Sequence, residues 1–267
     1  MASFSVVNNI ASQNAQSNLA ASSVGLNRAL GRLSSGFRIN QSGDDAAGLA
    51  VANTYRNDIA ILNQGLRNAN DGMSVLQVKD SALSNIATVL DRMSTLATQA
   101  SSDAGEADIA KLSSEFNTLT SEIDREAAIA GLTNGATGTA FSVFVSASNG
   151  TIAGTLSGVD TSDLGITQLT FTSVAQAQTA LTQVKSAVSS LANVQNQVGT
   201  LTNRLQFAVS LSSSQVVNTQ AAESRIRDAN IAEESANMTK FNILSQAGIA
   251  ALAQANQASS SVLGLLR

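Results

Sequence analysis

The 267-residue sequence contains no proline, cysteine, histidine or tryptophan, and it has a single tyrosine. Without cysteine the chain has neither disulfides nor thiol chemistry. The missing histidine removes the commonest general base, and with cysteine also absent the usual ligands of zinc and copper are lacking. The absence of proline removes the strongest helix breaker and favours long, continuous helices.

Ionisable side chains are missing from both ends of the chain. Residues 1–27 and 241–266 carry none, and both stretches mix apolar residues with Ser, Asn and Gln. So many amides and hydroxyls argue against membrane insertion, and the lack of a basic segment before a long apolar run argues against a cleavable signal peptide. A helix without charge on any face is normally enclosed by protein. We therefore expect these ends, each about 40 Å long as a helix, to pack against neighbouring copies of the molecule.

The sequence gives no sign of an enzyme. No serine has a histidine partner, and glycine-rich loops with phosphate-binding spacing are absent, so we expect neither catalysis nor a cofactor. The net charge is −4 and the basic residues do not cluster, which argues against nucleic acid as a partner.

Between the two ends, apolar residues recur every three or four positions, as in a coiled coil. After a break at SSGFRINQSG (residues 34–43), Asp44 and Asp45 stand where a helix would start and are placed to cap its free N–H groups. The spacing predicts a helix from 45 to 100, about 84 Å long if continuous. A second helix is expected to stop at Gly131, and a third follows Ser173.

A short β region is predicted between residues 131 and 172. The segment AFSVFVSASNGTIAGTLSG alternates apolar and small residues around Asn149-Gly150, which is a hairpin signal, and QLTFTS (residues 168–173) reads as a further strand. The predicted fold is mainly α: a long antiparallel helical hairpin or coiled-coil bundle with a small β-hairpin near the middle of the chain.

Three sequence blocks resemble bacterial flagellin, the subunit of the flagellar filament. They are LGRLSSGFRINQSGDDAAGLAVA (residues 30–52), NDGMSVLQVKDSALSNI (residues 70–86) and the whole segment from Glu223 to Arg267. The resemblance implies a minimal flagellin with an inner-tube domain, D0, and a surrounding domain, D1. The implied division is 1–44 for the N-terminal half of D0 with its spoke, 45–130 for the N-terminal helices of D1, 131–172 for its short β region, 173–226 for its C-terminal helix, and 227–267 for the C-terminal half of D0.

The same resemblance implies a function and a set of partners. The protein would polymerise with itself into an extracellular filament for swimming motility, after type III export without a cleavable signal. Its partners would be an export chaperone at the C-terminal segment, the filament cap, the hook-filament junction proteins and a host Toll-like receptor. Receptor contacts would fall at Arg92, Leu96 and Glu115. Polymerisation through the terminal helices would use Leu19, Leu26, Leu30, Leu33, Phe241, Leu244, Leu252, Leu263 and Leu266.

Other interpretations share some of these features. A hook-filament junction protein has similar terminal blocks and is the nearest alternative. A membrane-active amphipathic protein is a weaker one, because the ends lack cationic faces. A proteolytic flagellin is excluded, since the chain has no histidine and no inserted protease domain.

Overall fold

The computed structural model describes residues 8–102, 106–133, 138–146, 150–167 and 170–264, without the side chains of 106–107 and 259–264. Its elements are α1 (Ile10–Ser35), α2 (Ala46–Ala100), α3 (Glu106–Ala130), β1 (Thr139–Ser146), β2 (Gly150–Leu156), α4 (Val174–Arg227) and α5 (Ile231–Gly264). The mainly α fold with one small antiparallel sheet is therefore confirmed. The predicted continuous helix from 45 to 100 is confirmed as α2.

The chain forms two compact units. One comprises Met1–Asn57 with Asn218–Arg267, and the other comprises Asp58–Val217. The two units divide within α2 and α4, whereas the domain division expected from the sequence falls near helix ends. The assignment of residues to D0 and D1 therefore stays a prediction.

The unit from Asp58 to Val217 has its own apolar core. Helices α2, α3 and α4 and the hairpin all contribute to it. Large side chains with less than 2% exposure include Leu76, Leu83, Ile86, Leu90, Met93, Phe116, Ile123, Leu132, Leu156 and Phe171. The rings of Phe116 and Phe171 meet edge to face, with centroids 5.4 Å apart and an interplanar angle of 79°. This geometry is favourable for aromatic pairs and fixes the segment before α4 against α3.

Polar contacts set the antiparallel register of α2 and α3. The Arg92 guanidinium donates to Glu115 Oε1 from Nε at 3.0 Å and from Nη2 at 2.6 Å. Further along, Asn85 Nδ2 donates to Glu126 Oε2 at 3.3 Å. At the end of α3 the ammonium of Lys79, whose residue is only 8% exposed, donates to the carbonyl of Ala130. Burial lowers the pKa of Lys79.

Helix α3 ends at a glycine in the left-handed conformation. Gly131 has φ +62°. Its N–H donates to Ala128 O at 3.0 Å, and the N–H of Leu132 donates to Ala127 O at 2.9 Å. These two bonds form a Schellman motif, which satisfies carbonyls left free at the helix end. The predicted stop at Gly131 is confirmed.

One β prediction is wrong. Strands β1 and β2 pair as expected, although Asn149 and the rest of 147–149 lie outside the described residues. The third strand expected at QLTFTS does not form at Thr170–Ser173, and residues 168–169 lie outside the described residues. The N–H of Phe171 donates to Ser113 Oγ at 3.1 Å and that of Thr172 to Gln176 Oε1 at 2.8 Å. Side chains therefore take the backbone bonds that a neighbouring strand would supply.

In the described part of the chain, no helix combines the length and the hydropathy needed to cross a membrane.

Replacing Gly131 with alanine should destabilise the unit from Asp58 to Val217. A side chain in the left-handed region costs about 1–2 kcal/mol, while the nearest atom to the added Cβ, Lys79 Nζ, is at an ordinary 3.6 Å. Urea denaturation followed by circular dichroism would measure the loss. Gly199→Ala is the matched control, because its Cβ meets nothing within 4 Å and alanine should stabilise a helix interior by about 0.5–1 kcal/mol. Equal stability of Gly131→Ala and wild type would contradict the expectation.

Candidate self-association surface

Helices α1 and α5 form an antiparallel pair whose two ends are fixed by polar contacts. At one end Asn9 caps α1 by accepting from Ser12 N at 3.0 Å, and its Nδ2 donates to Ala255 O at 2.9 Å. At the other end Arg32 Nη1 lies 2.9 Å from Glu234 Oε1 in a partly buried ion pair. These contacts set the register of the pair.

Between those ends the two helices meet along a narrow seam of half-buried side chains. The seam is formed on α1 by Ala15, Leu19, Ser22, Leu26, Ala29 and Leu33, and on α5 by Met238, Phe241, Ser245, Gly248, Leu252 and Ala255. These positions recur at three and four residues, the spacing of a coiled coil. In α1 only Ala29 is fully buried. Pairing alone therefore leaves both helices largely uncovered.

Two glycines in the seam leave room for large side chains of the opposite helix. A Cβ on Gly25 would lie 2.6 Å from the ring of Phe241, so the ring occupies the space that a side chain would take. A Cβ on Gly248 would lie 3.3 Å from Leu19 Cδ1. Each glycine of one helix thus receives a large side chain of the other.

The outward faces of the pair carry large apolar side chains. Those exposed to solvent are Ile10, Val24, Leu30, Ile231, Ile243, Leu244 and Ile249, with Ile243 at 61% exposure. Single exposed apolar residues are ordinary on a protein surface. All of these except Leu30 and Ile231 lie within residues 10–27 and 241–258, which carry no charge. Exposed apolar side chains on a surface without charge are typical of surfaces that bind protein.

An open groove of about 680 Å³ runs along one side of the pair. It is lined by Ala11, Asn14, Ala15, Asn18, Ala21, Ser22, Phe241, Leu244, Ala247, Gly248 and Ala251. No lining residue is ionisable, and most are small. Small side chains allow the backbone of another helix to approach closely, while the amides and hydroxyls can hydrogen-bond to its polar residues.

The segment after α1 is tied to the end of α4. Gly36 has φ +76°, and its carbonyl accepts from Ala229 N at 2.9 Å, while Arg38 N donates to Arg227 O at 2.6 Å. The guanidinium of Arg227 also stacks on Phe37, 4.1 Å from the ring centroid. Sequence reasoning missed this junction. Its local signal was an aromatic residue between Gly36 and Arg38 in a break, but the partner is far away in the chain.

The leucines and phenylalanine expected to polymerise fall into three groups. Leu19, Leu26, Leu33, Phe241 and Leu252 are half-buried in or beside the seam. Leu30 and Leu244 are exposed on outward faces. The side chain of Leu263 and the whole of Leu266 lie outside the described residues.

The two predicted cap residues have different roles. Asp45 Oδ1 accepts from Gly48 N at 2.8 Å at the start of α2, the bond expected of an N-cap. Asp44 Oδ2 instead accepts from Asn40 N at 3.2 Å and Gln41 N at 3.3 Å. Asp44 therefore closes the turn before the helix and does not cap α2.

The three residues expected to contact a receptor lie in the unit from Asp58 to Val217. Arg92 and Glu115 are exposed and pair with each other. Leu96 is 1% exposed and belongs to the core. Of the three predicted receptor contacts, Arg92 and Glu115 are thus exposed at the surface and Leu96 is not.

Within the described ranges, no group of three or more acidic, His or Cys residues is arranged to hold a metal ion.

Comparison with known proteins gave consistent matches. A family model of the bacterial flagellin N-terminal helical region matches residues 6–142, and one of the C-terminal helical region matches residues 181–266. A flagellin of Halalkalibacterium halodurans is 36% identical, with 97% of this chain and 98% of the relative covered. The flagellar filament 33 kDa core protein of Treponema phagedenis is 35% identical at the same coverage. A crystal structure of Bacillus cereus flagellin matches at 31% identity and a TM-score of 0.49, covering 59% of this chain and 94% of that one.

A disulfide should form between positions 19 and 248. A Cβ at position 248 would lie 3.6 Å from Leu19 Cβ, close to the roughly 3.8 Å typical of disulfides. The Leu19→Cys, Gly248→Cys double variant should therefore cross-link on oxidation under assembly conditions, with no native cysteine to compete. Non-reducing electrophoresis and peptide mass spectrometry would detect the bond.

The matched control is Leu19→Cys with Ile249→Cys, because Ile249 is exposed off the seam. This variant should form little intramolecular disulfide. Equal cross-linking of the two variants would mean that α1 and α5 pair in another register.

Proposed function

Because the chain belongs to the bacterial flagellin family, we propose that the pair of α1 and α5, along its charge-free stretches, is the surface through which this filament subunit joins its neighbours. The observation that carries the proposal is the set of exposed apolar side chains on helices that carry no charge over residues 10–27 and 241–258. A subunit that stayed alone in water would gain nothing from that arrangement. Neighbouring subunits would cover it.

The energetic gain from assembly would come from those side chains. Fully burying one isoleucine or leucine contributes about 1.5–3 kcal/mol. Several such residues on each subunit would offset the entropy of ordering and association. The Asn, Gln and Ser side chains around them would add little affinity. They would instead restrict the register in which the helices of neighbouring subunits can pack.

The groove beside the pair is suited to a helix from another copy. Packed helix axes lie about 8–10 Å apart, and the separation depends on the side chains at the contact. The alanines and glycine that line this groove favour the short end of that range. A charged helix would lose hydration there without finding an opposite charge, so the charge-free stretches of a neighbour's terminal helices are the better match.

Folding of the ends would then be coupled to assembly. A seam with one fully buried residue in α1 does not supply enough burial to order two long, polar helices in dilute solution. We expect α1 and α5 to be helical chiefly within the polymer. Assembly would consequently depend steeply on protein concentration.

Hydrogen exchange would test this coupling. Amides of residues 10–35 and 231–258 should exchange rapidly in the dilute monomer and become protected in the polymer. Amides in the core of the unit from Asp58 to Val217 should be protected in both states and serve as the internal control. Full protection of both ends in the monomer would contradict coupled folding.

Other partners follow from family membership and stay predictions. They are the export chaperone, the filament cap, the hook-filament junction proteins and a host Toll-like receptor, together with type III export. The receptor would have to contact Arg92 and Glu115 without reaching Leu96, which is buried. An exposed ion pair contributes at most about 1 kcal/mol to stability, so Arg92→Ala would probe the receptor without disturbing the fold. No observation favours the hook-filament junction alternative.

A charge placed on the outward face should block polymerisation. Ile243→Lys would remove an apolar side chain expected to be buried and would leave an ammonium without a partner. Losing about 1.5–3 kcal/mol of burial alone corresponds to roughly a tenfold to hundredfold rise in critical concentration. Sedimentation and electron microscopy of salt-induced polymers would measure it.

Ile243→Leu is the control, because it keeps the apolar volume at the same position. It should polymerise near the wild-type concentration. Normal filaments from Ile243→Lys would overturn the assignment of this face to the subunit interface.

A further inference from the structure

The β-hairpin lies directly on two glycines of α2. A Cβ on Gly65 would lie only 1.7 Å from the carbonyl oxygen of Val145 and 2.5 Å from its carbonyl carbon. A Cβ on Gly72 would lie 2.7 Å from Val143 Cγ2. Gly65 and Gly72 are one heptad apart and so share a face of α2. Backbone packs on backbone at the first glycine, and side chain on backbone at the second.

The hairpin has a bulge at the closest point. Along the ladder Phe144 pairs with Thr151 and Ser146 with Gly150, so Val145 is the extra residue of β1. A bulge bends the strand and redirects the groups beside it. Val145 is buried, and its carbonyl is the group that occupies the space over Gly65.

Side chains from two helices hold the strands on either side of this contact. From α2, Asn68 Nδ2 donates to the carbonyl of Phe144 at 3.1 Å. From α4, Arg204 Nη1 donates to the carbonyl of Ala153 at 3.1 Å. One bond reaches β1 and the other reaches β2. Both acceptors are backbone carbonyls, which are present whatever side chain the strand residue carries.

We propose that Gly65 and Gly72 form a notch that locks the bulged hairpin at a single axial position on α2. Sliding by one heptad toward the N-terminus of α2 would bring Val145 over Asp58. Sliding the other way would bring Val143 over Lys79. The first movement would put the Asp58 side chain where the Val145 backbone lies, and the second would put the Lys79 side chain where the Val143 side chain lies.

The lock also fixes what the hairpin presents to its surroundings. Phe144 points away from the core and is 48% exposed, beside the Val145 bulge. Because the Val145 bulge packs on Gly65, Phe144 is held at one position along the axis of α2. This conclusion does not require polymerisation and concerns the isolated unit from Asp58 to Val217.

Gly65→Ala in the full-length monomer tests the lock. The added methyl group cannot coexist with the Val145 carbonyl, so the hairpin must leave its seat. Hydrogen exchange of residues 139–146 and 150–156 should speed up by about tenfold or more, with exchange of residues 109–130 in α3 unchanged. Hairpin protection equal to wild type would overturn the proposal.

Two further glycine variants make the test specific. Gly72→Ala should have a smaller effect, since it meets the end of a side chain that can rotate. Gly199→Ala should leave hairpin exchange unchanged, because its Cβ meets nothing within 4 Å. Equal effects of Gly65→Ala and Gly199→Ala would refute the notch.

If Gly65→Ala loses helical circular dichroism, Asn68→Ala and Arg204→Ala provide an independent test. These variants remove the two hydrogen bonds to the hairpin without adding volume over Gly65. Each should speed hairpin exchange while leaving the helical signal at the wild-type level. Unchanged hairpin exchange in both variants would also overturn the lock.

Discussion

A long helical stretch without charge is normally enclosed by protein, and this constraint governs residues 10–27 of α1 and 241–258 of α5. Pairing of α1 with α5 covers one narrow seam, in which Ala29 is the only fully buried residue of α1. The remaining faces combine apolar side chains with amides and hydroxyls, and neither kind of surface stabilises an isolated helix. The unit from Asp58 to Val217 differs, because it encloses large apolar side chains from α2, α3 and α4. One unit thus carries its own core, and we propose that neighbouring subunits complete the other.

Register in this protein is set mainly by small residues and single polar bonds. Phe241 fits against Gly25, and Leu19 fits against Gly248. A knob that has one matching hole holds two helices in one position, whereas a uniform row of leucines would allow several. Asn9 and Arg32 then fix the two ends of the α1 and α5 pair. This use of space fits a composition rich in Ala and Ser and poor in large aromatic residues.

Much of the helical architecture was predictable, because heptad spacing is a local property. The absence of proline and the three-four recurrence define α2 without any knowledge of its partners, and Gly131 marks the end of α3. The failed strand at Thr170–Ser173 shows the limit of local patterns. Phe171 has the alternating neighbours of a strand residue, but Ser113, far away in the sequence, takes its N–H and Phe116 packs on its ring. Such a contact competes with strand pairing and leaves no trace in a short window.

The site was predictable in kind but not in detail. Charge-free ends predicted enclosure by other subunits, but five of the residues predicted to polymerise lie in or beside the seam between α1 and α5. The stacking of Arg227 on Phe37 and the seating of Val145 over Gly65 were hidden, because each joins residues distant in the chain through geometry alone. A glycine in a helix interior normally lowers helix stability by about 1 kcal/mol relative to alanine. When a strand carbonyl fills the space of its missing side chain, the same glycine becomes the residue that decides where the strand can lie.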